Sequence, residues 1–136
     1  MSNEDFLDQV VKEIFEIDDP KIADKRRDQL QEFIKITVNG DTIEAYLVIQ
    51  ANLRRGKLGV LVYILTNVRL IKIEIDENEI TSTPFIRDTI SVSRKLKEDS
   101  KMAVEVTAQN ASFGLSYSAE DKKITEFFQK VDQRVS

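Results

Sequence analysis

The amino-terminal part of the chain carries apolar residues at a helical period. Between residues 2 and 17 they recur in adjacent pairs about one turn apart, which is the spacing of a broad amphipathic stripe. The stripe consists of Phe6, Leu7, Val10, Val11, Ile14 and Phe15. Ser2 and Asp5 supply a start cap, so the pattern predicts a helix over residues 2–17.

A second helix is predicted directly after the first. Asp19 can serve as its N-cap, Pro20 is tolerated in a first helical turn, and the pattern extends to about Ile34. Arg26 and Arg27 stand where a continuous stripe would place apolar residues. We therefore expect this helix to lie partly on the surface.

From residue 36 onward the period changes to two. A strand with one buried face is predicted where apolar residues alternate with polar ones, at Ile43, Ala45, Leu47, Ile49 and Ala51. The stretch from Leu58 to Ile75 is almost entirely β-forming and is interrupted at the Thr66-Asn67 step. Asparagine tolerates the backbone of a tight turn, so this stretch predicts a hairpin.

Four more strands and a helix complete the prediction. The strands are expected at residues 79–84, 89–97, 101–109 and 111–117, separated by polar turn sequences. Ser118 can cap the helix, whose apolar stripe is Ile124, Phe127, Phe128 and Val131. The predicted core comprises Leu47, Ile49, Val60, Val62, Ile64, Leu70, Val104, Val106, Phe127 and Phe128.

The hairpin carries a family-level resemblance. Its segment Tyr63-Ile64-Leu65-Thr66-Asn67-Val68-Arg69-Leu70-Ile71, preceded by Gly56 and Gly59, resembles the signature of bacterial pleckstrin-homology-like (PH-like) and GRAM-like domains. The resemblance implies an α+β fold in which a seven-stranded antiparallel barrel over residues 42–117, built from two orthogonal sheets, is closed by a helix over residues 119–134. Phe127 and Phe128 would then plug the barrel.

This resemblance also suggests a division of the chain. Residues 1–35 would form an N-terminal helical extension and residues 36–136 the PH-like barrel domain with its C-terminal helix. The alternative is another small antiparallel barrel or a sheet-plus-helix fold.

The amino-acid composition limits the kinds of site that this chain can form. The chain has no cysteine and no histidine, so thiolate metal sites, disulfides and the usual general base are missing. Twenty basic side chains against twenty-four acidic ones leave a net charge of −4, which opposes non-specific binding to nucleic acid or anionic lipid. No membrane span and no secretion signal is recognisable, so we expect a cytoplasmic protein.

Catalysis finds little support in the pattern. Ser91, Ser93 and Lys95 resemble a Ser–Lys dyad, but alternate positions on one strand place all three on the same wet face. Neither a phosphate-cradling glycine loop nor a dinucleotide fingerprint is present. We therefore expect a protein without a catalytic site, a metal or a cofactor.

One candidate binding site is basic. Arg54, Arg55 and Lys57 lie within four residues, and such side chains can converge on a phosphate with charge-assisted hydrogen bonds. PH domains that bind inositol phosphates carry basic residues in this first inter-strand loop. The acidic sequence Asp76-Glu77-Asn78-Glu79 belongs to the next loop at the same end and would largely cancel the positive field. Anionic lipid binding is therefore the alternative hypothesis.

Protein recognition is the preferred hypothesis. An extended peptide can add to a sheet edge or enter the groove between the fifth strand and the C-terminal helix, where Arg94 and Lys95 suit an acidic partner or a protected edge. Self-association can use the first helix through Phe6, Val10 and Ile14, although packing of that stripe within the chain is slightly favoured. The sequence thus predicts a non-enzymatic PH-like module that binds another protein or copies of itself.

Overall fold

In residues 1–18, 24–53, 58–76 and 79–133, which the computed structural model describes, three α-helices and seven strands are present. The helices are α1 (Asn3–Asp18), α2 (Asp24–Val38) and α3 (Lys122–Asp132). The strands are β1 (Ile43–Asn52), β2 (Leu58–Thr66), β3 (Arg69–Ile75), β4 (Ile80–Ile86), β5 (Ser91–Leu96), β6 (Lys101–Thr107) and β7 (Ser112–Ser118). A short 3₁₀ helix, Arg87–Thr89, precedes β5. The α+β class and the order of elements agree with the sequence prediction.

The strands form two antiparallel sheets. One has the order β1-β2-β3-β4 and the other β5-β6-β7. Within the described residues no strand ladder joins the two sheets, so the expected closed barrel is corrected to two separate sheets. The physical reason is that β1 and β7 each have one ladder partner and are separated by a cleft.

The central strand β2 of the four-stranded sheet is buried on both faces. Val60, Val62 and Ile64 point into a core shared with α1 and α2. The alternate residues, including Leu61 and Tyr63, point into a second core shared with the three-stranded sheet and α3. The molecule therefore has three layers, and the sequence prediction of one buried face for β1 was wrong: Val48 enters the first core and Leu47 the second.

Helix α1 forms as its sequence predicts. Ser2 Oγ accepts the Asp5 backbone N–H at 3.2 Å, and Asp5 Oδ2 accepts the Ser2 N–H at 3.4 Å, which is a reciprocal capping box. The apolar stripe of α1 is covered by the chain itself, with Val10 and Ile14 fully buried. The guanidinium of Arg27 from α2 lies 4.2 Å from the centroid of the Phe15 ring.

Helix α2 runs four residues further than predicted. It ends at Val38, and the next residues, Asn39 and Gly40, have φ angles of 48° and 81°. These left-handed conformations stop the helix and turn the chain towards β1, which suits asparagine and glycine. The predicted N-cap Asp19 and first-turn Pro20 lie outside the described residues.

An aromatic cluster fills the second core. Tyr63 of β2 stacks on Phe113 of β7 with ring centroids 5.1 Å apart, and Phe85 of β4 meets Phe113 edge-on at 5.1 Å. Phe127 and Phe128 of α3 join the same cluster and are buried, as predicted. Of the ten predicted core residues, nine are buried and Ile49 is half-buried.

Helix α3 begins later than expected. Asp121 is its N-cap, because Asp121 Oδ1 accepts the Ile124 N–H at 3.1 Å. Ser118, the residue predicted for this role, instead ends β7 and accepts the Asp121 N–H with its carbonyl at 2.9 Å. The buried face of the helix is the predicted stripe of Ile124, Phe127, Phe128 and Val131.

Candidate functional site

A cleft of about 780 Å³ lies where the edges of the two sheets face each other. Its volume is within the range of about 300–1,000 Å³ that ligand sites in proteins occupy. One wall is the end of β1, the other is β7, and the cleft also reaches the ends of α1 and α3 that lie nearby. The described residues that line it are Ile17, Val48, Ile49, Gln50, Ala51, Asn52, Gly114, Leu115, Ser116, Tyr117, Asp121 and Ile124.

Both walls of the cleft are unpaired strand edges. β1 is the first strand of its sheet and β7 the last of the other, so each uses only one side of its backbone in a ladder. Among the described residues, no backbone hydrogen bond joins Val48–Asn52 or Gly114–Tyr117 to any further element. These edges therefore present N–H and C=O groups that can pair with an added strand.

The edges at the cleft lack the features that usually keep strand edges from pairing. β4 carries Pro84 and β5 carries Arg94 and Lys95, residue types that block or repel an incoming strand. β7 has no charged residue and no proline, and the only charge on β1, Glu44, lies at the opposite end from the cleft. The sheet edges are thus protected elsewhere and open at the cleft.

Tyr117 lines the cleft, but its hydroxyl group is buried behind the lining. Tyr117 is 7% exposed, and its hydroxyl oxygen is buried without a hydrogen-bond partner among the described residues. A buried polar group of this kind is uncommon in native proteins. The hydroxyl therefore belongs to the second core and offers no hydrogen bond at the surface of the cleft.

The residues that carried the family resemblance fasten the fold together. Arg69 Nε and Nη2 donate to Asp41 Oδ2 at 2.8 and 2.7 Å, and Nη2 also donates to the Val38 carbonyl at 3.0 Å. Thr66, fully buried, donates its hydroxyl to Asp41 Oδ2 at 3.1 Å and accepts the Arg69 N–H at 2.9 Å. The β2–β3 turn is thereby tied to the segment that joins α2 to β1.

Asn67 of this turn and Arg87, which contacts it, also have hydrogen-bond partners within the chain. Asn67 exchanges two hydrogen bonds of 3.0 Å with the backbone of Thr42. Arg87 donates to Glu44 Oε2 at 2.7 Å and to the Thr66 carbonyl at 2.8 Å. The Leu-Thr-Asn-x-Arg-Leu signature therefore has a structural role here, because its polar groups already have partners.

The expected groove between β5 and α3 is bridged by a side chain. Arg94 Nη2 donates to the Phe128 carbonyl at 3.2 Å, and Arg94 Nη1 lies 3.4 Å from Asp132 Oδ2. Lys95 is exposed beside a shallow depression of about 340 Å³ on the outer face of the three-stranded sheet. The two candidate residues therefore have different surroundings: Arg94 contacts α3, and Lys95 faces outwards.

The self-association residues of α1 lie largely inside the molecule. Val10 and Ile14 are fully buried in the first core, and Phe6 is partly buried, edge-on to Tyr46 with centroids 6.1 Å apart. Packing within the chain, the option favoured from the sequence, is what the structure shows. An assembly would need other surfaces or would have to displace this helix.

The basic loop lies outside the described residues, as do its candidates Arg54, Arg55 and Lys57. Of the acidic sequence that follows β3, Asp76 and Glu79 are described: Asp76 Oδ1 accepts the Glu79 N–H at 2.8 Å, and the Asp76 N–H donates to the Glu79 carbonyl at 3.1 Å. These bonds join the end of β3 to the residue that precedes β4.

Two tyrosines have shifted acidity. Burial raises the pKa of Tyr63 above its ordinary value of 10.0, and the Glu74 carboxylate adds to the shift. Burial and then Glu13 raise the pKa of Tyr46 in the same direction, with a smaller contribution from Glu16. Both phenols are therefore held in the neutral form, and neither lines the cleft.

The wet-face expectation for Ser91, Ser93 and Lys95 is confirmed, since all three are exposed. No group of three or more acidic residues in the described ranges is placed to hold a metal ion. The helices in the same part of the chain lack the length and apolar character of a membrane span.

Neither a family model nor a curated protein nor a solved structure matches this chain.

Sequence reasoning missed the cleft residues Gln50, Ser116 and Tyr117. Their strands were predicted, but which strands lie at the edges of the sheets depends on how the two sheets pack. One signal was available: β7 contains neither proline nor charge, which is unusual for a strand with an exposed edge.

Proposed function

We propose that this chain is a non-enzymatic PH-like binding module that recognises an extended peptide segment of a partner protein. The observation that carries the proposal is the pair of strand edges on either side of one cleft, which have no further ladder partner among the described residues and no charged residue where they line the cleft. When a peptide pairs with a sheet edge, the main-chain hydrogen bonds provide the affinity and the neighbouring side chains provide the specificity. The PH-like part of the proposal is supported by the order of seven antiparallel strands, in sheets of four and three, followed by one helix.

The chemistry of the cleft favours a peptide over a small apolar ligand. Its walls offer strand backbone together with neutral polar side chains, including Gln50, Asn52 and Ser116. Apolar side chains such as Ile17 and Ile124 are interspersed and can contact alternate side chains of an inserted strand. An extended chain satisfies both kinds of surface at once.

The test is selection of linear peptides from a phage-displayed library on the full chain, followed by backbone-amide NMR with the selected peptide. We expect slowed hydrogen exchange and shifted amide signals in β1 and β7. Gln50→Arg should weaken binding, because a long charged side chain then lies in the cleft, whereas Gln109→Arg in an exposed turn should not. Absence of any binding peptide, or binding mapped to other elements, would refute the proposal.

Self-association stays a prediction that the same samples can test. A second copy is itself a source of an extended edge, and an uncharged edge such as β7 can pair with another. Light scattering of the free protein gives its mass directly. A dimer whose β1 and β7 amides are protected would identify a second copy of the chain as the occupant of the cleft. A monomer would leave a peptide from another protein as the remaining candidate.

The anionic-lipid alternative also stays a prediction, because Arg54, Arg55 and Lys57 lie outside the described residues. Flotation with phosphoinositide vesicles tests it directly. Binding by the wild type that is lost in the Arg54→Glu/Arg55→Glu double variant would rank lipid above peptide recognition.

A further inference from the structure

An ion pair between α1 and α3 passes around β1 on the side that faces away from β2. Lys123 Nζ of α3 donates to Glu13 Oε1 of α1 at 2.6 Å. Helix α1 packs in the first core, on one face of the four-stranded sheet, and α3 packs in the second core, on the opposite face. Both helices contact β1, which is the edge strand of that sheet. A link between them therefore spans the free edge of β1.

The ion pair crosses this edge just ahead of the cleft. Helix α1 begins beside the start of β1, where Asn3 Oδ1 accepts the Ile43 N–H at 2.9 Å, and its last turn lines the cleft. Glu13, one turn earlier, shares a separate depression of about 340 Å³ with Tyr46. Along β1, Tyr46 precedes residues 48–52, the part of the strand that lines the cleft.

We infer that the Glu13–Lys123 ion pair is a strap that limits strand addition on β1 to residues 48–52. The inference rests on the proposed function and names the partner as an extended segment of about five residues. An added strand lies about 4.8 Å from its neighbour, in the space that a link around the edge occupies. Charged side chains at an edge are a recognised means of keeping it from pairing. The edge of β1 is thus strapped in its first half and open at the cleft.

The exposure of the pair sets how strictly the strap acts. The Lys123 side chain is 58% exposed and that of Glu13 is 23% exposed. An ion pair with one exposed partner contributes little free energy, and dissolved salt screens it. The strap therefore lowers the affinity for a longer segment by a factor of a few and does not exclude such a segment absolutely.

The experiment compares two peptides on the full chain. One is the selected peptide trimmed to the part that pairs with residues 48–52, and the other carries three further uncharged residues at the end that points towards Tyr46. The wild type should bind both with similar affinity in a calorimetric titration. Lys123→Glu places two carboxylates together and opens the strap, so this variant should bind the longer peptide about fivefold more tightly than the shorter one.

Two variants control for charge and for folding. Lys122→Glu makes the same change of charge at the exposed neighbouring position of α3 and should behave like the wild type. The charge-reversed variant Glu13→Lys/Lys123→Glu restores an ion pair and should again bind both peptides alike. A wild type that prefers the longer peptide as strongly as Lys123→Glu does would refute the strap, whereas the proposed function would stand as long as the peptide maps to β1 and β7.

A titration of the unmodified protein covers the case in which a variant folds poorly. Raising NaCl from about 0.05 M to about 0.5 M shortens the range of electrostatic attraction and weakens the strap. The affinity of the wild type for the longer peptide should then rise relative to that for the shorter one. A ratio that does not change with salt would overturn the inference.

Hydrogen exchange of the free protein tests the strap without any peptide. Successive N–H groups of an edge strand point alternately to the partner strand and outwards, so residues 45–47 include at least one outward amide. This amide should exchange faster in Lys123→Glu than in the charge-reversed variant, because the strap no longer covers it. Equal rates would refute the strap whatever the peptide selection yields.

Discussion

Replacing Arg69 by methionine should cost this fold about 2 kcal/mol. The substitution keeps an unbranched side chain and removes the guanidinium that donates to Asp41 Oδ2 and to the Val38 carbonyl. Asp41 would keep its bond from the Thr66 hydroxyl and lose its counter-charge. The turn between β2 and β3 would then be less firmly tied to the segment before β1.

The magnitude follows from the burial of the pair. Exposed ion pairs contribute about 0–1 kcal/mol, and breaking a buried pair costs about 3–5 kcal/mol. The side chains of Arg69 and Asp41 are 28% and 15% exposed, which places this pair between the two limits. Because urea slopes for domains of this size are about 1–3 kcal/mol/M, the unfolding midpoint should fall by about 1 M.

A double-mutant cycle with Asp41→Asn isolates the interaction. We expect a coupling energy of about 1 kcal/mol or more between the two substitutions, measured by urea unfolding followed by circular dichroism. Lys123→Met is the control, because the Lys123–Glu13 pair has a Lys side chain that is 58% exposed, and its effect should stay below about 1 kcal/mol. A coupling below about 0.5 kcal/mol would show that the network does not fasten the hairpin.

Three further predictions concern packing, alkaline stability and the first helix. Gly59→Ala should destabilise the fold by about 1–3 kcal/mol, since a Cβ there would lie 2.6 Å from the Ile75 carbonyl oxygen, whereas Gly114→Ala, with its nearest such atom at 3.8 Å, should be tolerated; equal urea midpoints would contradict this. Burial raises the pKa of Tyr63, so above pH of about 10 the unfolded chain loses this proton first and folding stability falls as pH rises. Tyr63→Phe should lessen that fall, and parallel stability-versus-pH curves for the two proteins would count against it. Deletion of residues 1–17 should give an unfolded or aggregated product by circular dichroism and light scattering, because the α1 stripe covers the first core; a folded monomer would show that the helix is dispensable.

The kinds and order of the elements were predictable from local pattern alone. A helical stripe between residues 2 and 17, period-two alternation from Ile43, and the polar Thr66-Asn67 step each depend on neighbours in sequence. The predictions that were wrong concern the ends of elements. Ser118 and Asp121 are both good capping residues, and only the path of the backbone selects Asp121 as the N-cap of α3.

The role of the Leu-Thr-Asn-x-Arg-Leu segment was not predictable in the same way. The sequence showed Arg69 as a motif residue, and its partner Asp41 lies 28 positions away in an unrelated stretch. Similarly, Arg94 looked free to bind a partner until the fold placed the Phe128 carbonyl within reach. Such pairings depend on contacts between distant segments, which no local period encodes.

The sequence by itself determined the class of the protein, its helices and strands, and most of its core, because apolar periodicity reports which side of each element avoids water. Only the tertiary structure decided that β2 is buried on both faces, since α1 and α2 cover one face and the three-stranded sheet with α3 covers the other. It also decided that β1 and β7 face each other across a cleft, each with one ladder partner among the described residues. Strand edges are a property of sheet order, which arises from the packing of whole elements and is therefore set by the fold.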